Sequence, residues 1–149
     1  MRAVVQRVSS AEVRADDQLL GSTGQGLVIL LAVGEIDGAE DAAYLAKKVL
    51  NLRIFEDAEG KMNRSVQDIR GGMLVVSQFT LYGDCRKGNR PSFADAARPE
   101  KARHLYGVFL EAIRKSGLRI ASGKFQAMMD LSLVNQGPVT ILLDSKRKF

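Results

Sequence analysis

The stretch QGLVILLAV, residues 25–33, sets the fold class of this chain. It is a short continuous apolar run bounded by glycines, which is typical of a strand buried on both faces. After it, apolar residues recur at helical spacing and predict a helix over 38–51. These are Ala39, Ala42, Ala43, Ala46, Val49 and Leu50. Asp37, with Glu40 three residues later, is the predicted N-cap of this helix.

Outward from this unit, strands dominate. Ala3–Val8 and Ala11–Arg14 predict strands, followed by a hairpin turn at Asp16-Asp17. Residues 57–61 predict a turn, 72–81 a strand that runs into polar residues, and 83–91 a loop. A second helix is predicted over 99–116, begun by Pro99 and ended by Gly117. The last predicted strands are Leu118–Ile120, Met129–Val134 and Val139–Leu143. Two helices among many strands predict an α+β fold with a mixed or antiparallel sheet.

Length and composition exclude several classes of protein. The 149 residues are 46% hydrophobic and 26% charged, which predicts one globular domain and excludes a largely disordered chain. No apolar run is long enough to span a bilayer, and Arg7 and Glu12 interrupt any signal-peptide region. The single cysteine, Cys85, can form neither an internal disulfide nor a cysteine-rich metal site. We therefore expect an intracellular, cytoplasmic protein.

The charge is unevenly distributed. Residues 1–74 hold nine basic and eleven acidic side chains, a net −2, whereas residues 75–149 hold thirteen and six, a net +7. The segment Arg114–Lys124 has four basic residues and no acid, and Lys146–Lys148 adds three more. This asymmetry predicts a polyanion partner, with nucleic acid first. A solvated basic face with no partner is the alternative.

The usual catalytic groups are nearly absent. His104 is the only histidine, and it falls on the predicted second helix as a solvated side chain. Cys85 is followed by two cations that favour a thiolate, but its sequence offers no catalytic partner. No metalloprotease, phosphate-loop or dinucleotide motif is present. We therefore expect no metal and no other cofactor.

Two segments carry unusual polar residues. Ser77-Gln78-Phe79-Thr80-Leu81 ends a strand in two hydroxyls, an amide and an aromatic ring, which either present donors to a ligand or satisfy local hydrogen bonds. Residues 135–140, NQGPVT, place Gly137-Pro138 between two predicted strands. From spacing alone a plain hairpin turn is the favoured interpretation, although glycine also permits close approach to the backbone.

Together, SQFTL at 77–81 and NQGPVT at 135–140 resemble the D-aminoacyl-tRNA deacylase family, also called D-tyrosyl-tRNA deacylase. The start MRAVVQRVSSAEV, the stretch NRPSF at 89–93 and residues 123–140 match as well. The resemblance covers essentially the whole chain and implies a single deacylase domain over 1–149. It implies a small barrel-like fold that forms a two-fold symmetric homodimer with active sites at the interface. In the family, the Gly-Pro pair has a cis peptide bond and reaches into the partner's pocket.

The implied activity is cleavage of the ester between a D-amino acid, or glycine, and the terminal adenosine of tRNA. The resemblance also implies that the substrate's own 2′-hydroxyl assists the attack by water, which would account for the missing base. Backbone N–H groups around Phe79 would stabilise the oxyanion, and Gln78 and Ser77 would shape the adenosine site. Thr80 is expected to position groups or, less readily, to act as nucleophile. Gly137 and Pro138 would exclude L-side chains; Met129 and Phe125 either line the pocket or pack in the core.

Two other functions remain open on the residues alone. A non-catalytic tRNA- or RNA-binding module would use the same basic half and would bind tRNA without turnover. A conventional serine or threonine esterase needs a base, for which His104 is the only neutral-pH side chain.

Overall fold

The computed structural model describes residues 1–149 and contains eight strands and two α-helices. The strands are β1 (Arg2–Ala15), β2 (Gln18–Thr23), β3 (Gly26–Ala32), β4 (Phe55–Glu56), β5 (Met62–Arg64), β6 (Gly72–Ser77), β7 (Ile120–Ser122) and β8 (Asp130–Asp144). The helices are α1 (Ala39–Asn51) and α2 (Pro99–Arg114), and a 3₁₀ helix spans Phe79–Tyr82.

The long strand β1 organises the main sheet. Along one edge it pairs antiparallel with β3 and then with β2, and along the other it pairs antiparallel with β8 over almost its whole length. β3, β6 and β7 run parallel. β2 packs against β7, since a Cβ added at Gly21 would lie 3.1 Å from the Cβ of Ala121. The sheet is therefore mixed and nearly closed like a barrel, which confirms the predicted α+β fold with two main helices.

The core lies on both faces of β3, as its continuous apolar run predicted. Leu27, Ile29 and Leu31 face the larger apolar cluster, where both helices pack. Val28 faces the smaller cluster, beside Leu74 of β6. Because β3 and β6 are parallel neighbours, their carboxyl ends open at the same edge of the sheet. Neither helix has the length and apolar character to cross a membrane.

The predicted N-cap of α1 is wrong by one residue. Gly38 is the N-cap, and its N–H donates to the Asp41 carboxylate at 2.8 Å. Asp37 instead accepts the N–H of Gly34 and forms an ion pair with the amino group of Met1 at 2.6 Å. A carboxylate three residues inside the helix thus replaces the expected capping side chain, because Asp37 is held by groups outside the helix.

Strand boundaries also differ from the prediction. The segments at 3–8 and 11–14 are one strand, and β6 ends at Ser77 rather than at 81. The strands predicted at 129–134 and 139–143 are also a single strand, β8, so the hairpin turn predicted at Gly137-Pro138 is wrong. β1 pairs with β8 on both sides of that pair in one direction, which a chain reversal would prevent.

Candidate active site

The segment Ser77–Thr80 lies where β6 leaves the sheet. Gln78 makes the final contact with β3, its backbone N–H donating to the Leu31 carbonyl at 2.8 Å. The chain then turns into the 3₁₀ helix, which brings Phe79 and Thr80 to the surface. Phe79 is 57% exposed, whereas Ser77 and Gln78 are half-buried. An exposed phenyl ring beside strand-end polar groups makes this segment a candidate contact surface for a ligand.

A narrow cleft of about 70 Å³ opens under this segment, between β3 and α2. It brings together four of the predicted site residues and several that the sequence did not single out. The lining residues are Leu31, Ala32, Val33, Ser77, Gln78, Phe79, Ala102, Tyr106, Phe125 and Gln126. We call it the 77–79 cleft. Its walls are mostly apolar, so polar contacts made inside it are strengthened by the low local dielectric.

Hydrogen-bond donors concentrate at the start of the 3₁₀ helix. The carbonyl of Gln78 accepts the N–H of Leu81 at 3.2 Å, which leaves the N–H groups of Phe79 and Thr80 without partners inside the helix. The side-chain amide of Gln78 donates to Thr80 Oγ1 at 2.5 Å. The hydroxyl of Thr80 therefore contacts an amide rather than a base. His104, the only histidine, is exposed on α2, as expected.

Phe125 forms the opposite wall of the cleft. Its ring lies 6.0 Å from that of Tyr106 and 4.9 Å below the guanidinium of Arg103. Arg103 also donates to Oε1 of Gln126 at 3.1 Å. The Tyr106 hydroxyl donates to the Val75 carbonyl at 3.0 Å. Burial raises the pKa of Tyr106 to about 12, so its hydroxyl stays protonated and serves structure rather than proton transfer.

The far end of the 3₁₀ helix is anchored in the protein. The Tyr82 hydroxyl donates to Asp37 Oδ2 at 3.2 Å, and burial together with that carboxylate raises the pKa of Tyr82. Arg2 donates from Nη1 to the Leu81 carbonyl at 2.9 Å. These contacts hold the helix, and hence Phe79 and Thr80, in a fixed position.

Gly137 and Pro138 lie away from the 77–79 cleft of the same chain. They form a bulge in β8: a step of two positions along β1, from Gln6 to Val8, faces a step of five positions along β8, from Thr140 to Asn135. The peptide bond between them is cis, and Gly137 has a φ of +121°. Gly137 lines a separate cleft of about 460 Å³, which includes Arg7 and Glu56. One chain therefore does not bring the two motifs together.

Arg7 supports this bulge, and the sequence analysis missed it. It is only 7% exposed. It donates from Nε to the Gln136 carbonyl at 3.0 Å and from Nη1 to the Ile54 carbonyl at 2.7 Å. The sequence pattern could have identified Arg7, because it continues the alternation of Ala3 and Val5, which face the core. A charged residue at an inward position of a strand requires buried partners.

Met129 and Cys85 do not join the 77–79 cleft. Met129 packs against the smaller apolar cluster, and its sulfur accepts the Lys124 N–H at 3.3 Å. Within a single chain Met129 is thus partly buried beside the core, and its place in the substrate pocket stays a prediction. Cys85 is free and exposed. No three side chains of the His, Cys, Asp or Glu type are grouped to hold a metal ion.

A basic loop, residues 85–91, projects beside the site. Asp84 and Ser92 close its base through two backbone hydrogen bonds of 2.8 and 2.9 Å. The Arg86 guanidinium donates to the Asp84 carboxylate at 2.7 and 2.9 Å, and these contacts lower the pKa of Asp84 to about 2. Lys87 and Arg90 are exposed on the same loop and have no such carboxylate partner.

Curated proteins similar to this chain extend over its full length. The D-aminoacyl-tRNA deacylase of Anaeromyxobacter dehalogenans is 60% identical and that of Syntrophotalea carbinolica 58%, each over 100% of both chains. That of Thermotoga petrophila is 57% identical over the same coverage.

Solved structures share the fold. A protein described as "c-Myc DNA Unwinding Element Binding Protein" matches with a TM-score of 0.91 and 42% identity, covering 97% of this chain and 98% of its own. A probable eukaryotic D-amino acid tRNA deacylase matches in fold with a TM-score of 0.83 at 18% identity, covering 95% and 97%. The family model for D-Tyr-tRNA(Tyr) deacylase matches residues 4–144. With full-length relatives at such identity, this chain belongs to the D-Tyr-tRNA(Tyr) deacylase family.

Proposed function

We propose that this protein hydrolyses the ester bond between a D-amino acid, or glycine, and the terminal adenosine of tRNA, and thereby proofreads chirality in translation. The observation that carries the proposal is the Ser77–Thr80 segment, which offers backbone donors at an apolar cleft without any acid or base beside them. Family membership points to the same ester. Charged tRNA is used in the cytoplasm, which is where we expect the protein to act.

The reaction needs positioning and charge stabilisation more than a base from the protein. Water adds to the ester carbonyl carbon, the bond to the ribose oxygen breaks, and a proton passes from the water to that oxygen. The N–H groups of Phe79 and Thr80 are suited to the oxyanion because no bond within the 3₁₀ helix uses them. The neighbouring 2′-hydroxyl of the substrate, which both donates and accepts, would orient the water.

Thr80 acts in this scheme by positioning. A threonine hydroxyl needs an adjacent base to become a good nucleophile. Its contact is the Gln78 side-chain amide, which donates to Oγ1 and leaves the hydroxyl proton free to bind water or the ribose. Ser77 and Gln78, half-buried at the cleft, would shape the adenosine site.

The complete site would form between two copies of the chain. Within one chain, the Gly137-Pro138 bulge and the Ser77–Thr80 segment line different clefts. β8, which carries the bulge, pairs only with β1, so its other edge is free over 15 residues. Val134 and Leu142 on this strand are 56% and 57% exposed. A two-fold dimer would cover these groups and bring each bulge to the partner's segment.

Chirality would be read by backbone. A wall of main chain excludes every L-side chain at once, whereas attractive side-chain contacts would select one amino acid. Gly137 brings the chain close, proline fixes φ, and the carbonyl oxygens of the pair could accept hydrogen bonds from the substrate ammonium. Glycine has no side chain to exclude, so Gly-tRNA should pass the same wall.

The decisive experiment compares D-Tyr-tRNA, L-Tyr-tRNA and Gly-tRNA as substrates and follows loss of the ester. We expect rapid cleavage of the first and third and sparing of the second. Equal cleavage of the D- and L-forms would overturn the chirality proposal. Binding of all three without turnover would overturn the enzymatic one.

The shared site can be tested by mixing two defective variants. Phe79→Ala damages the segment and Gly137→Ala the bulge, and each homodimer should be poorly active. A mixed dimer contains one composite site in which both parts are intact. Activity should therefore rise when the two proteins are unfolded together and refolded. Activity that stays at the level of the separate variants would contradict a site shared between chains.

A nucleic-acid-binding module without catalysis is the second candidate. The basic loop favours it, as does a relative of 42% identity whose description names DNA binding. Its signature is salt-dependent binding of tRNA or DNA with no ester loss. An esterase that uses His104 as base is tested separately: turnover that survives His104→Ala excludes it.

A further inference from the structure

A second apolar groove adjoins the 77–79 cleft. Its volume is about 400 Å³, and it is lined by Phe79, Phe93, Ala96, Ala97, Pro99, Ala102, Phe125 and Gln126. We call it the aromatic groove. Four of these residues, Phe79, Ala102, Phe125 and Gln126, also line the 77–79 cleft. The cleft and the groove therefore share a wall, and a ligand bound at the cleft can extend towards the groove.

The groove has the chemistry of a stacking site. The rings of Phe79 and Phe93 meet edge to face, with centroids 5.0 Å apart. This contact leaves Phe79 57% exposed and Phe93 half-buried, so both keep open surface. Ala96, Ala97 and Pro99 line the groove with small apolar surfaces. Aromatic faces between small side chains suit a flat base, and such stacking tolerates any base.

The chain segment that lines most of the groove is rich in positive charge. Residues 83–103, which include the basic loop and the start of α2, hold six basic and three acidic side chains. One of those acids, Asp84, is bound by Arg86. Arg103 lies over Phe125, at the wall that the groove shares with the cleft. An apolar slot flanked by cations fits an aromatic base attached to a phosphodiester backbone better than it fits an apolar peptide.

We propose that the aromatic groove binds the base of the nucleotide that precedes the terminal adenosine of tRNA, stacked against Phe93. The inference rests on the proposed function, which puts the terminal nucleotide at the 77–79 cleft. The groove continues from that cleft, and in a single strand the preceding nucleotide must lie next to the terminal one. Phe93 then belongs to substrate binding and not to the chemistry. It also gives a role to the NRPSF stretch.

The test compares two substrates that share the reacting ester. One is D-Tyr-tRNA; the other is adenosine carrying a D-tyrosyl ester, which lacks the preceding nucleotide. Phe93→Leu removes the stacking ring and keeps an apolar side chain. It should lower kcat/KM for the tRNA roughly 5- to 100-fold, the range expected for one stacked base, and leave the adenosine ester within twofold. Phe93→Tyr, which retains the ring, should behave as the parent.

Two further variants keep the outcome interpretable. Ala96→Glu places a carboxylate in the groove while Phe93 stays, and it should cause the same selective loss. Tyr44→Leu is the matched control, because Tyr44 is a half-buried aromatic of α1 with Lys48 above its ring. It should change neither substrate. Equal losses on both substrates would overturn the proposal, because Phe93 would then act through Phe79 on the terminal site.

A binding measurement separates this proposal from the proposed function. Uncharged tRNA carrying 2-aminopurine at the position before the terminal adenosine loses fluorescence when that base stacks. We expect quenching with the parent and with Phe93→Tyr, and its loss with Phe93→Leu. Quenching without ester cleavage would retain the groove and reject the deacylase. Cleavage by the parent with no quenching would reject the groove alone.

Discussion

Arg7 of β1 donates its Nε–H to the carbonyl oxygen of Gln136 at 3.0 Å, and so fixes the residue that enters the Gly-Pro bulge of β8. The same guanidinium reaches the Ile54 carbonyl at 2.7 Å. A buried side chain therefore connects the bulge to the chain segment that follows α1. The position of Gly137-Pro138 depends on a contact inside its own chain, whatever the bulge then touches.

Arg7→Lys should lower both stability and activity. Lysine keeps the charge but cannot span two carbonyl groups in different directions, so at least one is left unpaired. We expect a loss of about 1–3 kcal/mol in the free energy of unfolding and a lower rate on D-Tyr-tRNA. Thermal unfolding and a deacylation assay measure the two effects. Parental behaviour in both would show that the bulge does not need this anchor.

Gly137→Ala should impair the site while Gly107→Ala does not. At Gly137, φ is +121° and an added Cβ would lie 2.6 Å from Arg7 Nη2 and 2.9 Å from Val139 Cγ2. The bulge must therefore move, and a displacement near 1 Å costs roughly 100-fold in rate. At Gly107, within α2, the added Cβ meets nothing within 4 Å. Steady-state cleavage rates on D-Tyr-tRNA and L-Tyr-tRNA test this prediction. A Gly137→Ala protein that is as active and as selective as Gly107→Ala would contradict it.

A substrate lacking the 2′-hydroxyl should resist cleavage. On tRNA ending in 2′-deoxyadenosine and charged at the 3′ position, we expect the rate to fall by at least roughly 100-fold, because assistance to proton transfer in the transition state is lost. Thr80→Ala, tested on the normal substrate, should retain part of its activity because Thr80 only positions. Full turnover of the 2′-deoxy substrate would reject the assisted mechanism. Complete inactivity of a folded Thr80→Ala protein would favour Thr80 as nucleophile.

Removing two cations from the basic loop should flatten the salt dependence of tRNA binding. Lys87 and Arg90 are exposed there and free of the contact that occupies Arg86. If both touch phosphates, the slope of log K against log salt should fall by about 1–2 in the double alanine variant. Lys47→Ala with Lys48→Ala removes equal charge from α1 and serves as the control. An unchanged slope in the loop variant would exclude these phosphate contacts.

Asp41 should make stability depend on pH below about 4. Burial alone would raise the pKa of Asp41, but hydrogen bonds from Lys146, Ser145 and Gly38 lower it from 3.8 to about 2. A carboxyl with a lowered pKa stabilises the fold above its unfolded value, and that contribution is lost as pH falls towards 2. Asp41→Asn should therefore reduce Tm at pH 7, and the difference from the parent should shrink between pH 4 and pH 2. A constant difference in thermal unfolding would contradict this.

Periodicity predicted the parts of the fold that depend on burial. The run 25–33 predicted a strand buried on both faces, and the alanine spacing predicted α1, because both patterns record which side chains leave water. It could not predict that Gly137-Pro138 stays within one strand. That outcome is set by β1, which pairs on both sides of the bulge. Asp37 likewise matches a capping residue locally, and only the distant Tyr82 hydroxyl and Met1 amino group explain its position.

Sequence patterns also singled out only some residues of the candidate site. Ser77, Gln78 and Phe79 stood out because polar and aromatic groups ended an apolar strand. Tyr106 did not, since helical spacing cannot distinguish a side chain that faces the core from one that also lines a cleft. Phe125 was left between pocket and core, and it does both: it lines the 77–79 cleft and packs against the larger apolar cluster. Met129 packs partly buried against the smaller cluster, and a role for either residue in substrate binding stays a prediction.

The pairing of β1 with β8 has a consequence for how the protein is made. Arg2 lies opposite Asp144, and their side chains are joined across 142 positions of sequence. Ribosomes add roughly 5–20 residues per second, so β8 is synthesised several seconds or more after β1. During that interval one edge of β1 is a row of open backbone groups, to which any passing strand can add. This edge is covered only when residues 130–144 have left the ribosome. Until then, a chaperone that binds the exposed edge of β1 would protect the nascent chain from aggregation.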